Sequence, residues 1–269
     1  MKIIVCIKQV PSTNEVKLDP ETKTIIRDGR QSVINPFDTY AMEEAVRLKE
    51  KLGGTVCALS MGIPAVERLL REAMSRGVDS ALLLSDRAFA GADTLATAYT
   101  LSLGVRHLGD FDLILCGRMA IDGDTAQIGP ELAEDLGIPQ VTNVTAILEA
   151  RKGELLCAKA TDQGTQQVRV KLPALLTVAK DINMPRMASI RGVKQSLQAP
   201  LEVLSAADVQ ADPQRIGLKG SPTQVVRTFT PEKTVECVWL EGDTAQQAGQ
   251  LAKVLLEKTQ RGEDAAWQA

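Results

Sequence analysis

Short, mostly apolar runs alternate with amphipathic segments along this chain, and this alternation limits the folds that it can adopt. The apolar runs cover residues 3–7, 55–60, 80–85, 112–116 and 174–178. The segments between them repeat apolar residues every three or four positions, which is typical of helices packed on one side. Buried strands separated by helices indicate a parallel sheet that is covered on both faces. We therefore predict an α/β fold with a doubly wound, mostly parallel sheet.

The segment 112–137 contains an apolar run, a polar loop with glycine, and a helix in succession. Ile128, Leu132 and Leu136 repeat every four residues and define the apolar face of that helix. Pro130 has no N–H to donate, so it is expected in the first turn. The N–H groups of a first helical turn lack helical partners and favour phosphate. Because α/β sheets usually bind ligands at the carboxyl ends of their strands, the segment predicts a nucleotide site.

Charge and composition argue against several classes of function. The net charge is −3 with both signs spread along the chain, which does not indicate a nucleic-acid or anionic-membrane surface. Aromatic residues make up only 3% of the chain, too few for base-stacking platforms. No apolar run is long enough to span a bilayer. The N-terminal residues are typical of a first strand and not of a signal peptide, so we predict a cytoplasmic protein.

The cysteines and the histidine do not indicate a catalytic or metal centre. The five cysteines include no C-x-x-C pair, which is typical of buried free thiols in a reducing compartment. The single histidine, His107, has no recognisable motif near it. One histidine with scattered cysteines makes neither a metal site nor a Ser-His-Asp triad. We therefore expect no metal and no catalytic residue supplied by the protein itself.

The rest of the chain carries two β-rich regions and a region of different character. Residues 16–28 are predicted to form a small hairpin, and residues 141–171 show partial alternation interrupted by turns. From about residue 185 the periodicity weakens and proline and glycine recur. A last amphipathic helix follows Gly242, with an apolar stripe that includes Leu251.

These features divide the chain into two parts. We predict a nucleotide-binding α/β domain over residues 1–190 and an extended C-terminal arm with a terminal helix over residues 191–269. An arm with so little core-forming pattern is better explained by wrapping onto a partner than by folding alone.

Four segments in order carry a recognisable pattern. They read IIVCIKQVP in the first strand, INPFDTYAMEEAVRLKE at a helix entrance, GRMAIDGDTAQIGPELA in the polar loop and LPALLTVAKDINMPRMASIRGVK near the end of the core. In this order and spacing, from the first strand to at least Lys194, they resemble the beta subunit of electron transfer flavoproteins.

The resemblance implies a heterodimer. The beta subunit would supply one adenine-nucleotide alpha-hydrolase-like domain, with its arm and terminal helix docked on an alpha subunit that carries the electron-transferring FAD. In mitochondrial-type members the beta subunit holds an AMP without a redox role. In anaerobic, electron-bifurcating members the same pocket holds a second FAD, which takes hydride from NADH.

The bifurcating branch implies two electron acceptors. One is a ferredoxin or flavodoxin. The other, reached through the alpha-subunit FAD, is an acyl-CoA dehydrogenase-like or lactate-dehydrogenase-like (2-hydroxy-acid) flavoenzyme. Because the flavin would carry the redox chemistry, whether this subunit counts as an enzyme by itself stays open.

Two loops favour the bifurcating branch. The loop reads Asp-Gly-Asp-Thr-Ala-Gln over residues 122–127, whereas the AMP-binding relatives carry a more acidic version with Cys and Asn. Residues 89–97 place a flexible glycine before Thr94 and Thr97, at a second predicted helix start on the same sheet edge. A second helix start could serve a longer dinucleotide, so FAD is predicted and AMP is the alternative.

A third hypothesis makes the chain a stand-alone ATP-using ligase or a nucleotide-sensing regulator. The sequence lacks a G-x-x-x-x-G-K-[ST] loop, and its coil-rich arm argues for an obligate partner.

The predicted cofactor-binding residues come from the ends of several elements. They are Cys6, Asn35, Asp38, Met61, Asp93, Thr94, Thr97, Gly117, Arg118, Met119, Ala120, Ile121, Asp122, Gly123, Asp124, Thr125, Ala126, Gln127 and Ile128.

Each of these groups also has a structural interpretation. Asp124 or Thr125 could cap the helix that follows the polar loop, and Asp93 could cap the helix of Thr94. Asn35 at an N-cap and Asp38 at N3 also satisfy helix capping without a ligand. Cys6 and Met61 are expected to be mainly core residues that touch adenosine through backbone or van der Waals contacts.

The resemblance also assigns a loop that recognises redox partners. This loop comprises Arg186, Met187, Ala188, Ser189, Ile190 and Arg191. Ile190 stands where the family has an anchoring leucine, and Arg191 where it has a proline. An exposed apolar residue among cations suits a transient, salt-sensitive interface. The alternative is a solvated loop with one incidental apolar residue.

Overall fold

A computed structural model of the chain describes residues 1–12, 32–226 and 237–266. The predicted hairpin over residues 16–28 lies outside these residues. The strands described are β1 (Lys2–Cys6), β2 (Gln9–Pro11), β3 (Ser32–Ile34), β4 (Thr55–Met61), β5 (Ser80–Leu84), β6 (Leu113–Gly117), β7 (Gln140–Arg151), β8 (Glu154–Thr161), β9 (Gly164–Lys171), β10 (Ala174–Val178) and β11 (Leu201–Leu204). The helices described are α1 (Pro36–Leu52), α2 (Glu67–Ser75), α3 (Thr94–Leu108), α4 (Ile128–Leu136), α5 (Ile190–Ser196) and α6 (Thr244–Ala266).

The main sheet has the strand order β11-β5-β4-β1-β6-β10-β7-β8-β9. Neighbouring strands from β11 to β7 are parallel, and β8 and β9 are antiparallel. A separate antiparallel pair joins β2 to β3. The predicted doubly wound, mostly parallel α/β sheet is therefore confirmed.

Helices cover both faces of the sheet. Ile3 and Val5 belong to the core on the side of α1 and α2, whereas Ile4 and Cys6 belong to the core on the side of α3 and α4. Successive strand residues point to opposite faces. Because both faces are buried, β1 is apolar at nearly every position, which explains the continuous apolar runs in the sequence.

The β-rich region predicted over residues 141–171 forms the antiparallel extension β7–β9. The start of β7 pairs with β10 and the rest pairs with β8, with irregular register on both sides. Asn143 lies at this transition with a φ of 56°. The extension therefore begins at the same sheet edge as the loop that follows β6.

The described residues form two compact units, Met1–Gln224 and Val225–Ala269. The first unit extends past residue 190 because β11 pairs in parallel with β5 at the edge of the main sheet. Docking of residues 191–269 on a partner stays a prediction.

The second unit contains α6. Leu251, Leu255 and Leu256 of its predicted apolar stripe are exposed. Among the described helices, none is long and apolar enough to cross a membrane.

Candidate functional site

The strand order creates a crevice between β1 and β6. After β1 the chain runs outward through β4 and β5, and then returns to the other side of β1 as β6. The loops after β1 and β6 therefore diverge at the carboxyl edge of the sheet, which is where open α/β sheets bind ligands. Most of the predicted cofactor-binding residues lie on elements that end or begin at this edge.

The floor of the crevice is apolar. Cys6 at the end of β1 and Cys116 near the end of the neighbouring β6 are buried, and they share one core region with the half-buried Met61. A hydrogen bond with the Cys6 thiol and burial hold the pKa of the Cys116 thiol well above its ordinary value. The Cys116 thiol is therefore neutral, and the floor offers mainly apolar contacts.

Asp38 joins the two strands below the crevice. Its carboxylate accepts the backbone N–H of Lys8 at 2.8 Å and that of Gly117 at 3.2 Å. Burial raises the pKa of Asp38 to about 7, although hydrogen bonds from Lys8, Asn35 and Gly117 act in the opposite direction. The interpretation of Asp38 as a local helix cap is wrong, because the backbone N–H groups that it accepts lie just after β1 and at the end of β6 and not in the first turn of α1.

Asn35 holds the polar loop in place. Its amide nitrogen donates to Met119 O at 2.9 Å, and its amide oxygen accepts the N–H of Ile121 at 3.2 Å. Asn35 stands at the N-cap position of α1 as predicted, but its side chain makes no capping hydrogen bond. The capping interpretation of this side chain is therefore wrong, and the buried amide instead fixes the start of the loop.

The loop itself is exposed and has an unusual backbone. Asp124 and Ala126 adopt left-handed conformations, with φ of 51° and 55°. Such conformations cost about 1 kcal/mol or more in residues other than glycine. The N–H of Asp124 donates to Ala120 O at 2.9 Å and closes the turn. The carboxylate of Asp122 accepts a hydrogen bond from Lys8 Nζ at 2.6 Å, and this ion pair partly neutralises the charge of Asp122.

The helix after the loop begins as predicted. α4 starts at Ile128 with Pro130 in its first turn, and Gln127 stands at the N-cap. No side chain of the described residues caps this helix, so the capping interpretation of Asp124 and Thr125 is wrong. The first-turn N–H groups face the loop, at the positive end of the helix dipole.

Asp93 has a structural role at the start of α3. It accepts the N–H of Ala96 at 3.1 Å, and its other oxygen accepts the N–H and hydroxyl of Thr223 at 3.1 and 2.8 Å. Burial alone would raise the pKa of Asp93, but these hydrogen bonds hold it below its ordinary value. The capping interpretation of Asp93 is confirmed.

The starts of α3 and α4 meet. Thr94 Oγ1 lies 3.0 Å from Glu131 Oε1 and 3.3 Å from Gln127 Oε1. Thr97 is half-buried and follows Thr94 by one turn on the same helix face. The structure therefore brings the hydroxyl-bearing turn of α3 beside the polar loop.

Glu131 is a site residue that the sequence prediction missed. Its second carboxylate oxygen, Oε2, is buried and has no hydrogen-bond partner among the described residues. Burial raises the pKa of Glu131, and the nearby Asp93 acts in the same direction, against the Thr94 hydrogen bond. Local pattern could not reveal this residue, because its environment depends on how α3 packs against α4.

Arg186 forms ion pairs with two acidic residues of α1. Its guanidinium contacts Glu43 Oε2 at 2.9 Å and Glu50 Oε1 at 2.6 Å, and both acids lie on α1. The predicted recognition loop is thus anchored to the core at its first residue. These ion pairs give Arg186 a structural role, and its role as a docking cation beside Ile190 stays a prediction.

The other end of the recognition loop is open. Ile190 is 93% exposed and Met187 is 90% exposed, so both apolar side chains are available to a partner. Ser189 Oγ accepts the N–H of Gly192 at 2.9 Å and caps α5. The loop is therefore ordered at both ends and presents an apolar tip. Among the described residues, no three His, Cys, Asp or Glu side chains come together as a metal site.

Comparisons with known proteins identify relatives of the whole α/β unit. A family profile described as "Electron transfer flavoprotein domain" matches residues 22–209. The chain is 51% identical over 232 residues to the electron transfer flavoprotein subunit beta of Thermoanaerobacterium thermosaccharolyticum, covering 86% of this chain and 88% of that protein. It is 47% identical over 232 residues to the protein of the same name from Clostridium acetobutylicum, with coverage of 86% and 89%. It is also 43% identical over 261 residues to the caffeyl-CoA reductase-Etf complex subunit CarD of Acetobacterium woodii, with coverage of 96% and 99%.

Proposed function

Because the chain belongs to the electron transfer flavoprotein beta-subunit family, we propose that it acts in an electron-bifurcating heterodimer. In this proposal the crevice between β1 and β6 binds FAD, NADH is the electron donor, and the complex is cytoplasmic. FAD supplies the hydride-accepting and one-electron chemistry when it is bound. The protein binds and orients it and excludes water.

One observation supports FAD over AMP as the ligand. The N-terminal ends of two helices, α3 and α4, meet at the crevice. Thr94 at the start of α3 lies 3.0 Å from Glu131 in the first turns of α4. A single helix start accounts for the phosphate of a mononucleotide. The second start, with two hydroxyl side chains, extends the polar surface further than AMP requires.

The charges around the loop suit a pyrophosphate. The first-turn N–H groups of α4 are donors at the positive end of the helix dipole. Asp122 would repel a phosphate, but its ion pair with Lys8 at 2.6 Å partly offsets that charge. Arg118 at the start of the loop adds a second cation. The buried Asn35 amide fixes the loop before the ligand arrives, which lowers the entropy cost of binding.

The apolar floor suits the adenosine end. Cys6, Cys116 and Met61 offer contacts without charge, and the orphan Oε2 of Glu131 is a hydrogen-bond acceptor for a ligand hydroxyl. The residues present thus fit a flavin dinucleotide.

Two exposed surfaces support our proposal for the partners. We propose that the C-terminal arm docks on the alpha subunit through α6. The apolar stripe of this helix is exposed. The recognition loop would meet a dehydrogenase-like flavoenzyme, and a ferredoxin or flavodoxin would take the low-potential electron. CarD is named as a subunit of a caffeyl-CoA reductase-Etf complex, which favours an acyl-CoA dehydrogenase-like partner.

The deciding experiment uses the purified heterodimer under anaerobic conditions. Bound nucleotides are extracted and quantified, and the flavin absorbance is followed during an NADH titration. Two FAD per heterodimer and bleaching by NADH are expected. One FAD with one AMP and no bleaching would contradict the proposal and identify an electron shuttle with structural AMP.

A variant tests the second helix start directly. Thr94→Val removes one hydroxyl and is expected to lower occupancy of the beta-subunit nucleotide. Thr165→Val on the exposed strand β9 is the matched control and should leave occupancy unchanged. Equal occupancy in both variants would mean that α3 does not contact the ligand.

A further inference from the structure

After the edge strand β11 the chain returns to α3 before the first compact unit ends. This connecting segment, residues 212–223, contacts both helices whose starts meet at the crevice. The Arg215 guanidinium lies 3.7 Å from the centre of the Tyr99 ring on α3, and it pairs with Asp135 on α4 at 2.9 Å. The N–H of Asp212 donates to the Tyr99 hydroxyl at 3.2 Å. The connecting segment is therefore attached to both helices at its beginning.

The middle of the connecting segment packs against the turn that precedes α3. The N–H of Leu218 donates to Ala90 O at 3.0 Å. Gly217 has a φ of 58°, and a Cβ added there would lie 2.1 Å from Ala88 O. A Cβ added at Gly91 would lie 3.2 Å from the Leu218 Cβ. The two backbones are therefore in close contact, and a side chain at residue 217 would separate them.

The end of the connecting segment holds Asp93, the N-cap residue of α3. Ser221 Oγ accepts the N–H of Asp93 at 2.8 Å and donates to Gly217 O at 2.7 Å. One carboxylate oxygen of Asp93 accepts both the N–H and the hydroxyl of Thr223 at 3.1 and 2.8 Å. The other oxygen accepts the N–H of Ala96 in the first turn of α3. One carboxylate thus joins the connecting segment to the start of the helix.

We propose that Ser221 and Thr223 are positioning residues for the nucleotide. They act through Asp93, which fixes the first turn of α3 and so keeps the Thr94 hydroxyl 3.0 Å from Glu131. The inference rests on the proposed function, in which this helix start is one wall of the nucleotide site. A helix start that is ordered before the ligand arrives lowers the entropy cost of binding.

The coupling between the connecting segment and the nucleotide works in both directions. A segment that orders the binding site must itself be stabilised by the bound ligand, by the same free energy. The chain enters its second compact unit at Val225, two residues after Thr223. Loss of the nucleotide therefore loosens the attachment of the residues that lead into that unit.

The test uses the purified heterodimer with Thr223→Val, which keeps the shape of the side chain and removes its hydroxyl. Thr223→Ser keeps the hydroxyl and should behave as the wild type. Ser205→Ala is the matched control, because its hydroxyl instead donates to Asp208 at 2.6 Å. We expect T223V to raise the free FAD concentration that half-fills the second flavin site about fivefold, with S205A unchanged.

Two further measurements distinguish positioning from a general loss of stability. Amide hydrogen exchange over residues 93–97 should be faster in T223V than in S205A, whereas exchange in β7–β9 should not change. T94V and T223V should be non-additive in FAD affinity, since both act at the same helix start. In the wild type, FAD should slow exchange of the Thr223 amide, which donates to Asp93.

Three results would overturn the inference while the proposed function stands. They are equal FAD affinity in T223V and S205A, FAD binding by T223S that is as weak as that of T223V, and strictly additive effects of T94V and T223V. If T223V does not assemble, Ser221→Ala gives the same comparison with S205A. A wild type that holds AMP and does not react with NADH would contradict the proposed function instead. The AMP affinity of the same variants would then decide whether the connecting segment positions the nucleotide.

Discussion

Asp38 Oδ1 accepts the backbone N–H of Gly117 at 3.2 Å, which ties the first turn of α1 to the carboxyl end of β6. The contact lies directly below the loop that we propose as the nucleotide site. The two residues are separated by 79 positions in the chain. Their contact links the geometry of the loop to the packing of α1.

Replacement of Gly117 by alanine tests how closely α1 and β6 must approach. An alanine Cβ would lie 2.7 Å from Phe37 C and would also meet Asp38 Oδ1. We expect G117A to lose about 1–3 kcal/mol of stability through overpacking, and to lose bound nucleotide. Gly123→Ala is the matched control for stability only, because its Cβ meets no atom within 4 Å but the residue lies in the predicted nucleotide loop. Thermal midpoints measure stability, and extraction measures the bound nucleotide. A G117A protein with the same thermal midpoint as G123A would contradict the prediction that α1 and β6 approach too closely for a side chain at residue 117.

Asp38→Asn tests the buried carboxyl through its pH dependence. The pKa of Asp38 rises from 3.8 to about 7 on folding because burial disfavours its charge. The folded state therefore binds the proton more tightly, and this group lowers stability as pH rises between these two values. Between pH 5 and pH 7.5 the wild type should lose about 2–3 kcal/mol relative to D38N. Thermal midpoints of both proteins across this pH range give the measurement, and parallel pH profiles would contradict the prediction.

Arg186→Met tests the anchor of the recognition loop. Glu43 is buried, and hydrogen bonds from Arg186 and Arg47 hold its pKa below the ordinary value despite burial. The stability from this carboxylate is present above its unfolded pKa and is lost as pH falls through the folded one. We expect R186M to lose about 1–3 kcal/mol at neutral pH, because a buried carboxylate loses a partner, and less in acid. Arg191→Met is the control, since Arg191 forms no ion pair with a described residue. Equal thermal midpoints for the two variants at pH 7 would argue against an anchoring role.

Ile190 provides the complementary test of partner docking. Its side chain is 93% exposed, so its loss should not change stability. Ile190→Ser is expected to raise the KM for the flavoenzyme partner about tenfold, because an anchor in the centre of an interface contributes about 1–2 kcal/mol or more. Ile190→Leu should retain docking. Steady-state electron transfer with varied partner concentration measures both variants, and an unchanged KM for I190S would leave the loop without a docking role.

Much of the fold could be predicted because its determinants are local. The apolar runs and the four-residue repeat of Ile128, Leu132 and Leu136 reflect burial of each element on the sheet. The start of α4 could be predicted from Pro130. Proline has no backbone N–H, which a helix tolerates without cost only in its first turn. The polar loop was predicted for the same reason, since a strand and a helix define it from both sides. The predicted boundary at residue 190 had no such local determinant, and the first compact unit extends to Gln224.

The sequence by itself determined the alternation of the main strands and helices along the chain, the position of the polar loop and the family of the chain, but it did not reveal β11. Only the tertiary structure decided what the individual side chains bind. Asn35 reaches Ile121 across 86 residues, and Arg186 reaches Glu43 across 143. Sequence neighbours alone suggest that Asn35 and Asp38 cap their own helix. In the folded chain both side chains instead form hydrogen bonds with groups on other elements. A hydrogen bond forms with whichever group the packed elements bring within reach, and that group is set by sheet order rather than by sequence neighbours.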